Sequence, residues 1–242
     1  MNDIASPSRR WVMPLACLAA AFAGAFAAWE VNAWRQRPAV EKVVHDYVLN
    51  HPEILPEAME RLQQRENAKQ LVGVQDDIEK PFPGAVMGNP QGKVVMVEFM
   101  DFACGYCRQS VAEVDALIAA NPDLKVVIRQ MPILSPASED AARMGLAAAQ
   151  QGKYAQFHHA MYAAGKPDAQ SIEAAARVAG VDLAQAQKAV NDTAVKDEIE
   201  RNMGFARQLG FQGTPSWVIG NEIHNGAVGQ QILADSIAKA RG

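Results

Sequence analysis

The run "KVVMVEFMD" (93–101) is nearly unbroken β-branched, aromatic and apolar sequence. It predicts a strand buried on both faces, not one with alternating wet and dry sides. Such a strand demands a packed layer on either side of its sheet. Cys104 follows after a two-residue turn, and "CRQSVAEVDALIAA" sets Val111, Val114, Leu117 and Ile118 at helical spacing. Asn121-Pro122 stops that helix, and "LKVVIRQMPI" (124–133) reads as a second strand. Strand, helix, strand predicts a right-handed βαβ unit with a parallel pair. At 242 residues, 49% of them apolar, the chain can bury a core without a disulfide framework or a metal.

Residues 137–210 are Ala-rich and read as helices over 138–151, 153–164, 170–179, 183–190 and 193–209, divided by Gly152, Lys166-Pro167, Gly180 and Gly210. Strands return at "SWVIG" (216–220) and "EIHNGA" (222–227), with Gly220-Asn221 as the hairpin turn, before a last helix at about 229–240. Strands on both sides of a helical block predict one α/β domain with the helices projecting from one end.

The N-terminus has a different character. Arg9-Arg10 precedes the uncharged run 11–29, which ends at Glu30 and reads as an export segment. Nineteen residues at about 1.5 Å each reach roughly 28 Å, the length of a membrane anchor with Trp11 and Trp29 at the interfaces. The run is Ala-rich, however, and Ala25-Phe26-Ala27 offers a cleavage site, so anchor and cleaved signal peptide both stand. Arg35 and Arg37 balance Arg9 and Arg10, so charge does not set an orientation, and Cys17 inside the run reads as a small hydrophobe.

Beyond it, residues 38–80 predict two short amphipathic helices. Val40, Val43, Val44, Tyr47 and Val48 line the first; Asn50 and Pro52 mark a cap and restart; Ile54, Leu55, Ala58, Met59 and Leu62 line the second. Two such helices cannot bury both stripes alone. The polar stretch Glu66–Pro83 reads as a linker between them and the core.

The chain has three cysteines, and Cys104 and Cys107 form a C-x-x-C pair at a helix start. There, unpaired backbone N–H groups and the helix dipole stabilise a thiolate, so Cys104 is expected to have a lowered pKa and act as nucleophile. Cys107, one turn on, is the resolving thiol. A zinc half-site is the rival reading, but the chain has no second Cys pair and no H-x3-5-H. His158-His159 is adjacent in sequence and reads as helix-surface histidines. Thiol redox is the favoured use, with no resident metal or other cofactor. The net charge of -4 gives no footprint for nucleic acid.

"VEFMDFACGYC", "VVIRQMPILSPASEDAAR" and "GTPSW" resemble the thioredoxin-like periplasmic thiol–disulfide oxidoreductases with an inserted helical domain, the DsbA-like class. The resemblance covers about residues 84–242. It implies a thioredoxin fold in which Thr214-Pro215 is the cis-proline loop facing the cysteines, with Thr214, Pro215, Gly105 and Tyr106 contacting substrate. Glu98, six residues before Cys104, falls where the family has a buried carboxylate. A desolvated carboxyl there would take the proton from Cys107, whereas a Glu at the strand end would keep its charge in water.

"VVHDYVLNHPEILPEAMERLQ" resembles the N-terminal extension of the suppressor-of-copper-sensitivity proteins of that class, which implies a homo-oligomer, dimer or trimer. Gly105-Tyr106 supplies no positive charge to the Cys104 thiolate, and with Thr214 it is similar to the isomerase and reductase group rather than to the oxidases. These resemblances imply a periplasmic enzyme that reshuffles or reduces disulfides in exported cysteine-containing proteins, served by a membrane thiol reductase or, for an oxidase, a quinone-linked oxidase. Two soft thiolates also suit Cu(I), so copper binding is the alternative from a different class.

Overall fold

A computed structural model describes residues 9–241. Expectations placed on Arg9, Arg10, Trp11, Cys17, Arg35 and Arg37 fall outside the described side chains. Two units are distinguished, Met1–Arg61 and Leu62–Gly242.

In the first, helix α1 (Arg9–Asn50) runs through both the apolar segment and the helix predicted after Pro38. Helix α2 (Ile54–Leu71) restarts after Pro52, as expected, and its first eight residues belong to this unit. Val40, Val43, Val44 and Tyr47 on α1 and Leu55 and Met59 on α2 are all more than half exposed. Among the described residues no helix is long and apolar enough to cross a membrane, so of the two readings of residues 11–29 the anchor gains no support.

The second unit is built on a five-stranded sheet of order β1-β3-β2-β4-β5, formed by β1 (Val86–Gly88), β2 (Val94–Met100), β3 (Leu124–Gln130), β4 (Ser216–Ile219) and β5 (Glu222–Asn225). Strands β2 and β3 are parallel, with Glu98 opposite Ile128, as the strand–helix–strand reading requires. The other pairs are antiparallel. Gly220, at φ 54°, closes the β4–β5 hairpin in a conformation that side chains rarely adopt. The edge strand β1 is not legible in the sequence, because three residues carry no periodicity.

Both faces of β2 are covered, which is why it reads as continuous apolar sequence. Met96, Met100, Val126, Ile128, Trp217 and Ile219 pack into one layer with α4 (Gly105–Ala120), the inserted helices and α10 (Gln230–Ala240). Val97, Phe99, Val127 and Val218 pack on the opposite face against Leu71, Val74, Ile78, Ala206 and Leu209.

The insertion comprises α5 (Pro136–Gln150), α6 (Tyr154–Ala164), α7 (Ala169–Val178), α8 (Leu183–Ala189) and α9 (Thr193–Gln208), close to the predicted limits. Ser135, Asp168 and Asp182 cap three of them by accepting backbone N–H bonds. The buried alanines of α5, α7 and α8 let these helices approach closely.

The expected linker over residues 66–83 is a correction. This stretch is part of the second unit, and from Leu71 onward it packs into the core through the end of α2 and the short helix α3 (Gln75–Glu79). Leu71, Val74 and Ile78 are buried, at about 1.5–3 kcal/mol each. The buried Arg129 of β3 donates to the carbonyls of Asp77, Ile78 and Lys80 and to the side chains of Glu198 and Asn202 on α9. Carbonyl partners leave no trace in a side-chain pattern, so the stretch reads as merely polar.

Candidate active site

Strand β2 ends at Met100, and three residues later the chain enters α4 with Cys104 as its N-cap. Cys104 Sγ accepts the backbone N–H of Cys107 at 3.4 Å and, as a thiol, donates to the Thr214 carbonyl at 3.1 Å. The expected cis bond is present at Thr214-Pro215. Cys104, although at the helix start, is only 4% exposed, with the Thr214 carbonyl against its sulfur.

The two sulfurs are strongly unequal. The Cys104 pKa is lowered to about 5, chiefly by hydrogen bonding from the Cys107 thiol, against the cost of burial, with Thr214 and the N–H groups of Cys107 and Tyr106 adding to the effect. Once the Cys104 proton leaves, the Thr214 carbonyl has nothing to accept. The Thr214 hydroxyl, buried and unpartnered, is then the group on that residue with a proton to give. Cys107 is displaced the other way, first by burial, then by its hydrogen bond to Cys104 and by the charge of Glu98.

Glu98 lies mid-strand, opposite Ile128 and Trp217, on the face that carries Met96 and Met100 and packs with Cys107. It is 2% exposed, so its charge does not escape at a strand end. Burial, followed by the Cys104 charge, raises its pKa to about 8. Gly105 opens α4; a Cβ there would meet nothing within 4 Å, and Tyr106 is 63% exposed. The backbone beside Cys104 is therefore open to an approaching polypeptide.

The structure adds residues that the sequence does not mark. Asp101 is buried, and its carboxylate accepts the N–H groups of Ala103, Ile133 and Leu134 at 2.8–2.9 Å. Its carbonyl accepts the Cys104 N–H and the Tyr162 hydroxyl. His158 corrects the surface reading of the histidine pair. It is buried among Phe102, Tyr154 and Tyr162 with both ring nitrogens unpartnered, and burial lowers its pKa to about 3. His159 alone lies at the surface, beside Asp115. Among the described residues no group of three His, Cys, Asp or Glu is placed to hold a metal ion.

Residues 95–238 match the family model of the DSBA-like thioredoxin domain, and residues 36–69 match that of the copper resistance protein ScsC N-terminal domain. A thioredoxin-like oxidoreductase from Silicibacter pomeroyi is 40% identical, with TM-score 0.66 over 69% of this chain and 97% of that one. BcfH from Salmonella enterica Typhimurium is 28% identical, with TM-score 0.63 over 88% of this chain and 99% of that one. Curated relatives include the Na(+)/H(+) antiporter NhaA 3 of Salinispora tropica, 25% identical over 74% of this chain; the chain spans only 29% of that protein's length. The domain that carries the unequal cysteine pair, with the helical region before it, thus places the chain in the DsbA-like thioredoxin family of thiol–disulfide oxidoreductases, among the members related to ScsC.

Proposed function

We propose that the chain is a periplasmic thiol–disulfide oxidoreductase that isomerises or reduces disulfides in exported proteins, with Cys104 as nucleophile and Cys107 as resolving thiol. The observation that carries the proposal is the opposite displacement of the two thiols within one helical turn. At neutral pH the first is a thiolate and the second a thiol, which is the state needed to attack a substrate disulfide and then wait.

The Cys104 thiolate attacks one sulfur of a substrate disulfide. That S–S bond breaks, a mixed disulfide forms, and the other substrate sulfur leaves as a thiolate. In isomerisation a different substrate thiolate attacks the substrate sulfur of the mixed disulfide, forms a new substrate bond and returns Cys104 as thiolate, with no net redox change. In reduction Cys107 gives its proton to Glu98 and attacks Cys104. A Cys104–Cys107 disulfide closes, two electrons pass to the substrate, and its second sulfur leaves.

Glu98 is suited to the second route because, after burial, the Cys104 charge adds to what holds its pKa up. In the mixed disulfide that charge is gone, so Glu98 ionises more readily just as Cys107 needs a base. The exposed apolar residues Tyr106, Ile133 and Leu134 flank the nucleophile, since Asp101 joins the backbone of residues 103, 133 and 134. They favour an unfolded polypeptide as substrate.

Isomerase or reductase is favoured over oxidase by the uncharged Gly105-Tyr106 dipeptide and by the ScsC-type N-terminal match. Disulfide donation is the second reading, favoured by the Cys104 pKa itself, because a stabilised thiolate makes the disulfide more oxidising. Refolding assays on a scrambled and on a fully reduced substrate separate the two. The first reading expects the full chain, in a glutathione buffer, to recover scrambled substrate at least about tenfold faster than buffer alone, and Cys104→Ala to abolish this. Oxidation of the reduced substrate alone supports donation; activity that survives in Cys104→Ala sinks both readings.

A further inference from the structure

Asp101 ties together the nucleophile loop, the loop after β3 and helix α6, and among the described residues none of its bonds is to a cation. Oδ1 accepts from Ala103 N at 2.8 Å, and Oδ2 accepts from Ile133 N and Leu134 N, each at 2.9 Å. Its carbonyl accepts from Cys104 N at 2.9 Å and from the Tyr162 hydroxyl of α6 at 3.0 Å. The three amides bound by the carboxylate lie in loops, outside any helix or strand ladder. Without Asp101 they would be part-buried donors lacking their protein partner.

We propose that Asp101 is a positioning residue for Cys104: its carboxylate and carbonyl fasten the nucleophile loop to the loop after β3 and to helix α6, and so hold the Cys104 sulfur between the Cys107 N–H and the Thr214 loop. The proposal rests on the reading of Cys104 as nucleophile. Ala103 is the residue before the N-cap, so a slack Ala103 amide lets the cap turn away from the α4 N-terminus. A neighbouring bond, from Met131 N to Met100 O, ends just before these loops diverge. Beyond that point the carboxylate is the tie between them. Phe102, between Asp101 and Ala103, is fully buried against Phe157 and Tyr162, so the loop is anchored to α6 through a second side chain.

Only a carboxylate can accept on both oxygens. In Asp101→Asn the NH2 group must face N–H donors on one side or the other, so one arm is lost while size and shape are kept. The direction of the effect distinguishes geometry from charge. Removing a negative charge near a thiolate favours the thiolate and lowers the Cys104 pKa; loosening the loop weakens its hydrogen bonds and raises it.

The test is ultraviolet titration of the Cys104 thiolate in the reduced full chain, paired with its redox equilibrium against glutathione. The expected result for Asp101→Asn is a titration moved up by about one pH unit, together with a more reducing disulfide. A downward movement means that Asp101 acts through charge, and an unchanged titration with a lowered melting temperature means that it only supports the fold; either overturns the proposal. If the variant does not fold, amide exchange in the unaltered protein decides. Ala103, Ile133 and Leu134 are expected to be protected together, and free-loop exchange at all three refutes the tie. A wild type that does not titrate near pH 5 tells instead against the reading of Cys104 on which this rests.

Discussion

Cys104 and Glu98 are acids displaced in opposite directions, and they give the reduced protein a pH dependence of two signs. The Cys104 thiol falls from an ordinary 9 to about 5, so it contributes stability that is full above pH 9 and is lost as pH falls through 5. The Glu98 carboxyl rises from 4.5 to about 8, so it contributes stability that is full below 4.5 and is lost as pH rises through 8. Glu98→Gln removes the second effect. The reduced variant is therefore expected to be more stable than wild type at pH 9 by a few kcal/mol, and close to it at pH 4, by thermal or urea unfolding. Resolution of a mixed disulfide on Cys104 is expected to slow by about 100-fold at pH 7, the scale of a lost general base. Rapid-mixing kinetics that show resolution at the wild-type rate would remove Glu98 from the reaction. Cys104 and Cys107 are legible in the sequence because they form a C-x-x-C pair at a helix start, and Thr214-Pro215 and Glu98 because the stretches that hold them resemble the DsbA-like class. Asp101, Tyr162 and His158 are not legible: Asp101 meets the amides of Ile133 and Leu134 and the Tyr162 hydroxyl across long stretches of chain, and Phe102 is brought against Tyr162 and His158 from a distant element.

Among elements, the predicted and observed limits of the inserted helices differ by one or two residues, because glycines and capping side chains mark their ends locally. The stretch 66–83 differs because what ties it down is Arg129, whose guanidinium meets three carbonyls and the Glu198 carboxylate in a dry layer. Arg129→Met leaves Glu198 buried beside only the half-exposed Arg201 and strips donors from the carbonyls of α3. A loss of about 3–5 kcal/mol in urea unfolding is expected, the range for breaking a buried pair from one side. The double variant Arg129→Met, Glu198→Met is expected to recover part of this loss, because the uncompensated charge is gone while the carbonyls remain unpaired. A single variant within about 1 kcal/mol of wild type means that α3 is held by its apolar side chains alone.

At the scale of the whole molecule, residues 62–242 hold both hydrophobic layers and every group of the candidate site, while the first unit carries an apolar stripe whose residues are more than half exposed. Val40, Val43, Val44 and Tyr47 follow the i, i+3, i+4, i+7 spacing of one helix face, and Leu55 and Met59 add one turn of α2. A face of this kind in water calls for an apolar partner, and a second copy of the chain carries the same face. Self-association would bring several Cys104 sites together around one client, which suits reshuffling more than donation. Removal of residues 1–61 is therefore expected to leave a monomer that still oxidises small dithiols at close to the wild-type rate, while its recovery of scrambled substrate falls by about tenfold or more, as an effective-concentration advantage is lost. Val43→Asp with Met59→Lys in the full-length chain, which puts charge on both stripes, is expected to do the same without shortening it. Sedimentation and the two refolding assays together decide the matter. An oligomer that survives the charged variants places the self-contact elsewhere, and a monomeric variant that isomerises at full rate shows that one Cys104 site suffices.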